Sequence, residues 1–194
     1  MKKKVLSTAI PIAAVIAAAA IAVTYYINTR PMERVTVASP DWAVHYKTFQ
    51  EVYDETDLLV VGKMTERENW DNYGVLFSTA YFDVHEVLKG EYSGDEIAVI
   101  YTGGERDGVL QEVEMMTLPD VGGEYMLALH PMIDRDNEYG PMGGYQGTFK
   151  LEDKSFISLT DEADLKVEQF NTDNDSEAEI IGLTPAQIAE KYGA

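Results

Sequence analysis

The strongest hydrophobic pattern in the chain is a pair of strand-like runs between residues 75 and 101. Both runs are rich in β-branched and aromatic residues, and a glycine-containing link at residues 89–95 separates them. Alternation of apolar and polar positions is typical of a half-buried strand, and glycine between two such runs is typical of a turn. The pattern therefore predicts an antiparallel pair of strands. Its alternation breaks at Glu86, where we expect a β-bulge that restores the inward-facing positions.

Shorter apolar runs predict the strands that complete the sheet. Residues 57–64 are almost continuously apolar, as in a strand covered on both faces, and Gly62 within them predicts a bulge or a sharp bend. A further strand is expected at residues 124–130, and a last hairpin at residues 145–151 and 156–159. The polar and glycine-rich stretches are predicted loops, at 66–74, 105–123 (with a weak strand at 113–116) and 133–144.

Two short helices are predicted by their capping residues. A threonine followed three residues later by Glu or Gln opens each of them, at Thr48 for residues 49–55 and at Thr184 for residues 185–192. Strands of roughly five to ten residues that bend at glycines favour a mainly β fold. We predict a small, partly open β-barrel like the oligonucleotide/oligosaccharide-binding (OB) fold, with one short helix before its first strand and a short C-terminal helix.

The N-terminal segment predicts a transmembrane signal anchor. Residues 5–27 carry no charge, and as a helix they are long enough to cross a hydrocarbon core of roughly 30 Å. The lysines at residues 2–4 precede this segment, so the positive-inside rule places the N-terminus in the cytoplasm and the rest of the chain outside. The alternative is a signal peptide cleaved near Ala20 or Ala22, after which the chain is secreted. The domains then follow as an anchor at 1–30, a linker at 31–47, a barrel domain at 48–170, and an acidic linker with the C-terminal helix at 171–194.

Composition narrows the function classes. The chain has a formal net charge of −19 and no cysteine. Without cysteine there is no disulfide framework, no thiolate metal site, no cysteine nucleophile and no lipid-carrying cysteine. An acidic domain is repelled by nucleic acid and by anionic lipid headgroups, whereas it attracts cations and basic partners. The same charge also serves solubility alone, which is the alternative explanation.

Several short motifs mark strand ends and turns in a fixed order between residues 48 and 160. They are DLLVVG at 57–62, VHEVLKG at 84–90, GG at 103–104, GEYML at 123–127 and QGTF at 146–149. In this order they resemble a group of small uncharacterised extracytoplasmic proteins of Gram-positive bacteria, often lipoproteins. More remotely, the strand order is similar to the OB-type domains of netrin-like proteins and metalloproteinase inhibitors, whose N-terminal cysteine and disulfides this chain lacks. The resemblance implies a fold and an extracytoplasmic location, but no activity.

The titratable residues show no spacing that is typical of a metal site. His45, His85 and His130 are far apart in the chain, and no two of them have a zinc-binding spacing. Alternating carboxylates at 134–138 and 173–179 suit calcium, but the second stretch lacks the glycine and the closing glutamate of an EF-hand. We therefore predict no metal site and no cofactor. Calcium on an acidic loop is the alternative, and a solvated loop is the plain explanation.

The two longest predicted loops are where we expect a ligand. The candidate binding residues are Asp134, Asp136, Glu138, Tyr139 and Tyr145. Trp70 and Tyr73 would extend them into an exposed aromatic face, unless these aromatic residues pack in the core or at its rim.

Taken together, the sequence predicts a membrane-anchored, extracytoplasmic binding module that is not an enzyme. Its expected contacts are the membrane, through residues 5–27, and a protein of the cell envelope. One alternative is a metal-assisted hydrolase that uses His130, Asp134 and Asp136. Another is a structural envelope protein whose acidic surface collects calcium.

Overall fold

A computed structural model describes residues 33–38, 44, 46–114, 116–144, 146–153, 155–157 and 180–193. Nine strands and two short helices lie in these residues, which confirms a mainly β protein. The predicted anchor at 5–27 lies outside the described residues, and within them no helix is long and apolar enough to cross a membrane.

The elements follow one another in this order. The strands are β1 (Glu33–Ala38), β2 (Leu58–Asn72), β3 (Val75–Lys89), β4 (Glu96–Arg106), β5 (Val109–Val113), β6 (Glu124–Pro131), β7 (Glu138–Pro141), β8 (Thr148–Glu152) and β9 (Ser155–Ile157). Helix α1 (Phe49–Glu55) precedes β2, and helix α2 (Pro185–Tyr192) ends the described chain.

Five of the strands close into a ring. β2 pairs antiparallel with β3 and β6, and β3 pairs antiparallel with β4. β7 closes the ring, because it pairs parallel with β4 and antiparallel with β6. The inward side chains of these strands form one core, which includes Leu58, Val60, Met64, Ala80, Phe82, Ile97, Val99, Tyr101, Tyr125, Leu127 and Leu129. The predicted antiparallel pair at 75–101 is therefore confirmed as β3 and β4, which are neighbouring strands of the ring.

A second core lies outside the ring, beneath the two helices. Phe49 of α1 meets Phe149 of β8 at 5.4 Å and Tyr192 of α2 at 4.8 Å between ring centroids. Both predicted helix starts are confirmed, since Thr48 and Thr184 each accept a hydrogen bond from a backbone N–H of the first turn. Ile188 and Tyr192 of the C-terminal helix belong to this second core.

The predicted irregularities near Gly62 and Glu86 are one feature. Val61 pairs with Glu86 and Gly62 pairs with Val84, so His85 is the extra residue of a β-bulge. A Cβ atom at Gly62 would lie 2.7 Å from the carbonyl oxygen of Asp83, which explains why glycine stands there.

Three stretches predicted as linker or loop contain strands. The predicted linker at 31–47 holds β1, which lies beside β5 in the sheet. The predicted loop at 66–74 is the outer half of β2, and the predicted loop at 133–144 contains β7. The weak strand expected at 113–116 lies earlier, as β5 (Val109–Val113). These predictions were wrong because polar residues are stable in a strand whose faces meet solvent, provided that a partner strand supplies the hydrogen bonds.

Candidate functional site

The outer face of β2, β3 and β4 carries a polar and aromatic surface. Alternation along the strands places every second side chain outside the ring, and cross-strand partners share a face. Three rows result from the register: Trp70, Phe77 and Thr102; Glu68, Thr79 and Ile100; Glu66, Tyr81 and Ala98. We call these nine residues the outer face. Thr79 and Ile100 at its middle are only 6% and 7% exposed, so the face has a closely packed floor.

An aromatic stack lies at the end of the outer face nearest the β2–β3 turn. The rings of Trp70 and Phe77 are 4.8 Å apart between centroids and only 16° from parallel. The indole Nε1 of Trp70 donates a hydrogen bond to Thr79 Oγ1 at 3.2 Å. The register of β2 and β3 places Trp70 directly opposite Phe77, which is the arrangement in which large aromatic pairs stabilise a sheet.

The loop between β6 and β7 brings a cation onto this stack. Arg135 Cζ lies 4.6 Å from the centroid of the Trp70 ring, within the range of a cation–π interaction. The Nη1 atom of the same guanidinium donates to Glu138 Oε2 at 2.7 Å. Asp134 and Asn137 both have a φ of 61°, a left-handed conformation that Asp and Asn tolerate better than most residues. The β6–β7 loop and the β2–β3 hairpin therefore meet at Arg135 and Trp70.

Carboxylates dominate the charge of the outer face. Glu138 pairs with Ala98 in the parallel β4–β7 register, so its side chain joins Glu66 and Glu68 on this side of the ring. The Tyr81 hydroxyl donates to Glu68 Oε2 at 3.0 Å. That hydrogen bond raises the pKa of Tyr81, and burial and the charges of nearby glutamates act in the same direction. The face is thus a region of negative potential with one guanidinium in it.

The tip of the β2–β3 hairpin exposes a tyrosine in a strained conformation. Tyr73 has a φ of 53° and its side chain is fully exposed. Gly74 follows with a φ of 87°, so the two residues form a turn with both central φ values positive. Such turns favour Asn-Gly, because a bulky side chain at positive φ is unfavourable. Asp71 Oδ1 stabilises the turn by accepting from the Gly74 N–H at 2.8 Å.

The structure separates the residues that the sequence predicted as a binding site. Asp134 and Asp136 are exposed on the β6–β7 loop, and Glu138 is the half-buried partner of Arg135. Tyr139 belongs to the ring interior instead, since it packs against the inner core and meets Tyr92 at 6.2 Å. Tyr145 lies outside the described residues.

Sequence analysis missed Arg135, Phe77 and Thr79 as parts of this surface. The sequence did contain a signal for the outer half of β2, which pairs with the strand of Phe77 and Thr79. Glu66, Glu68 and Trp70 occupy every second position there, as side chains on one face of a strand do.

The residues of the hydrolase hypothesis do not form a metal cluster. His130 is half-buried, and its Nδ1 lies 3.2 Å from the carbonyl oxygen of Pro131. Across the described ranges, no three His, Cys, Asp or Glu side chains come together in a way that could hold a metal ion. His45 and the acidic stretch at 173–179 lie outside the described residues.

A second cluster of arginines and carboxylates lies where β1 and β5 join the ring. Arg34 of β1 pairs with Glu112 of β5, and its Nη2 atom lies 2.5 Å from Asp120 Oδ1. Glu112 also accepts from the Leu118 N–H at 2.6 Å. Burial raises the pKa of Glu112, although Leu118 and Arg34 oppose that shift.

Arg67 also belongs to this second cluster. It donates to the carbonyl oxygen of Pro119, and its buried Nε atom has no hydrogen-bond partner. Burial lowers the pKa of Arg67, and the charge of Arg34 lowers it further. Tyr125, whose hydroxyl accepts from the Asp120 N–H at 2.8 Å, has its pKa raised to about 12, chiefly by burial. We call Arg34, Arg67, Glu112, Asp120 and Tyr125 the buried cluster after Glu112 and Tyr125, which are buried, whereas Asp120 is exposed at its edge. The contacts of this cluster tie Leu118, Pro119 and Asp120 to the ring.

No known protein family has a model that matches this chain, and no curated protein matches it either. The family resemblance drawn from the short motifs therefore stays a prediction. The function has to be argued from the geometry of the described residues.

Proposed function

We propose that this protein is a membrane-anchored, extracytoplasmic binding module built on an OB-type barrel. Support for the fold comes from the strand order β2-β3-β4-β7-β6, in which the third and fifth strands of the ring are its one parallel pair. OB-type barrels bind ligands on the face of their second and third strands, between the loops that follow strands one and four. In this chain those strands are β3 and β4, and those loops are the β2–β3 turn and residues 132–137.

One observation carries the proposal, and it is the contact between Arg135 and Trp70. These residues come from the two loops that flank the outer face, and their meeting leaves an aromatic ring, a guanidinium and several carboxylates beside solvent. Tryptophan, tyrosine and arginine are the residues that contribute most at protein interfaces. The composition of this surface is thus typical of a binding site rather than of a plain solvated face.

Tyr73 and Ile133 support the same position. Tyr73 is fully exposed and Ile133 is 88% exposed, and each lies on one of the two loops that flank the outer face. In the free protein these two side chains bury almost no apolar surface and therefore add little to stability. Tyr73 in addition has an unfavourable φ. A partner that covers these side chains would explain why they stand there.

The membrane location rests on the sequence alone. The uncharged segment at 5–27 and the lysines before it favour a single anchor with the barrel outside. A non-enzymatic role is proposed because the outer face offers recognition groups, and not the arrangement of base and nucleophile that catalysis requires.

Site-specific photocrosslinking in intact cells tests this function. A photoreactive residue at Tyr73 or Ile133 should give adducts with the same partner, whereas one at Val121, 59% exposed on another loop, should not. Trp70→Ala should lower the adduct yield at Tyr73 at least about tenfold, as truncation of a central aromatic residue in an interface does. Deleting the whole 133–144 stretch is unsuitable, since it would remove the ring strand β7. Equal adducts at Val121, or none at Tyr73 and Ile133, would contradict the proposal.

A further inference from the structure

The arginine on the outer face holds the position that a cationic ligand would take. Arg135 lies over Trp70 at 4.6 Å and is paired with Glu138 at 2.7 Å. The face of a tryptophan ring attracts cations, and proteins use such rings to bind cationic ligands. The protein's own guanidinium occupies this position, which indicates that the guanidinium of a ligand would also fit there.

Arg135 is held weakly enough to be exchanged. Its side chain is 38% exposed and that of Glu138 is 30% exposed, so both groups meet water. Exposed ion pairs and exposed cation–π contacts each contribute little. The backbone of its loop is closed at the base by the hydrogen bond from the Met132 N–H to the Glu138 carbonyl oxygen at 2.9 Å, so the side chain of Arg135 can move while the loop keeps its place. A guanidinium from outside would therefore meet a modest barrier in replacing this one.

The charges around the stack favour such a replacement. Glu66 and Glu68 are exposed on the same face as Trp70, and Glu138 completes a set of carboxylates on two sides of it. When Arg135 leaves, Glu138 loses its ion-pair partner, and the negative charge of the face attracts another cation. The whole chain, with a formal charge of −19, draws basic segments toward this face over longer distances.

We propose that the outer face binds an arginine-containing basic segment of a protein partner, and that this arginine displaces Arg135 from Trp70. Arginine fits better than lysine because its planar guanidinium can stack on the indole and donate to a carboxylate at the same time. The proposal rests on the proposed binding function and specifies its partner. Arg135 then acts as an internal competitor that sets the affinity.

Tryptophan fluorescence offers a direct test with the full chain in detergent micelles. The chain has two tryptophans, so Trp42→Phe leaves Trp70 as the only emitter. In this background, a hexa-arginine peptide should change the emission of Trp70 in a saturable way. A peptide of six citrullines, which keeps the shape and lacks the charge, should not. A hexa-lysine peptide should bind about threefold or more weaker than the arginine peptide, since the ammonium cannot stack in the same way.

Two charge variants distinguish displacement from simple attraction. Arg135→Gln removes the competitor and should bind hexa-arginine about threefold to tenfold tighter. Lys191→Gln makes the same change in net charge by removing a cation that lies 4.7 Å from the Tyr192 ring on α2, and it should bind like the parent. Glu66→Gln removes an exposed carboxylate of the outer face and leaves the Arg135–Glu138 pair in place, so it should bind about threefold weaker.

Each outcome decides for or against the proposal. Arg135→Gln binding no tighter than Lys191→Gln would overturn displacement, and citrulline binding as well as arginine would overturn a cationic ligand. If Arg135→Gln fails to fold, Glu66→Gln decides, because unchanged affinity there also overturns the proposal. Failure of the peptides while Tyr73 still gives a specific adduct would leave a binding module with a different partner class. Peptide binding without any cellular adduct would instead contradict the proposed function.

Discussion

Two arginines, Arg67 and Arg135, show how burial decides what the same side chain does. Arg67 lies in the buried cluster, donates to a backbone carbonyl of the 113–123 segment and has its pKa lowered by burial. Arg135 lies on the outer face, and the partners that its guanidinium contacts are the side chains of Trp70 and Glu138. Arg67 therefore contacts a backbone group of the fold, whereas Arg135 contacts only side chains to which a ligand could also bind.

An arginine beside carboxylates is therefore not by itself a binding site. In the buried cluster, Arg34 and Glu112 meet across the β1–β5 pair and connect the first strand to the ring. Removing those charges from water costs free energy, so they stabilise the fold mainly by providing hydrogen-bond partners for buried polar groups. On the outer face the charges stay hydrated, and their contribution to stability is small. Three substitutions test that difference.

Arg67→Ala should have the largest effect on stability. It leaves the carbonyl of Pro119 without its donor and opens a cavity beneath the 113–123 segment, at a cost of about 2–4 kcal/mol. Chemical denaturation of the full chain in micelles, followed by near-ultraviolet circular dichroism, measures this loss. Arg67→Met is the matched control, because it fills most of the space and removes a buried charge. We expect it to lose at most half as much. Equal losses of unfolding free energy in the two variants would mean that the charge of Arg67, rather than the volume that it fills, stabilises the fold.

Glu112 should make stability depend on pH. Because burial raises its pKa above the ordinary value of 4.5, the folded state binds a proton more readily than the unfolded state does. The stability that Glu112 contributes is therefore fully present below about pH 4.5 and is lost as pH rises through the raised pKa. Unfolding midpoints of the wild type and of Glu112→Gln, measured from pH 4 to pH 8, should diverge in favour of the wild type as pH falls. A difference that stays constant with pH would contradict a raised pKa.

Much of the barrel could be predicted from local pattern, and its remaining strands could not. β3 and β4 contain runs rich in β-branched and aromatic residues, and the start of β2 is apolar on both faces because it contacts both cores, so local pattern found these strands. The outer half of β2 is polar, and it is a strand because β3 pairs with it along its whole length. β7 is a four-residue strand that ends in Gly140 and Pro141, and it depends on long-range pairing with β4 and β6. Local propensity carries no information about such pairing.

The candidate site was predictable only as a region. The alternating acids at 134–138 drew attention to the correct loop, but the residue that contacts the aromatic stack is the arginine between them. Arg135 reaches Trp70 because the ring closes through β7, and closure depends on contacts far apart in sequence. The register of β7 beside β4 likewise turns Tyr139 inward, which is the core packing that the sequence left open as the alternative to an exposed site.

Arg135→Gln should have the smallest effect on stability of the three. Its ion pair with Glu138 is exposed, and its cation–π contact with Trp70 is partly hydrated, so the expected loss is below about 1 kcal/mol. The same denaturation measurement compares it directly with Arg67→Ala. A loss as large as that of Arg67→Ala would make Arg135 a structural clamp of the β6–β7 loop. In that case a ligand could displace Arg135 only if the loop unfolded. The free energy required would exceed the binding free energy that a ligand's guanidinium gains at an exposed site. A small loss means that the outer face keeps its shape when Arg135 moves away, which is the condition that a surface must meet if a partner's arginine is to take that position.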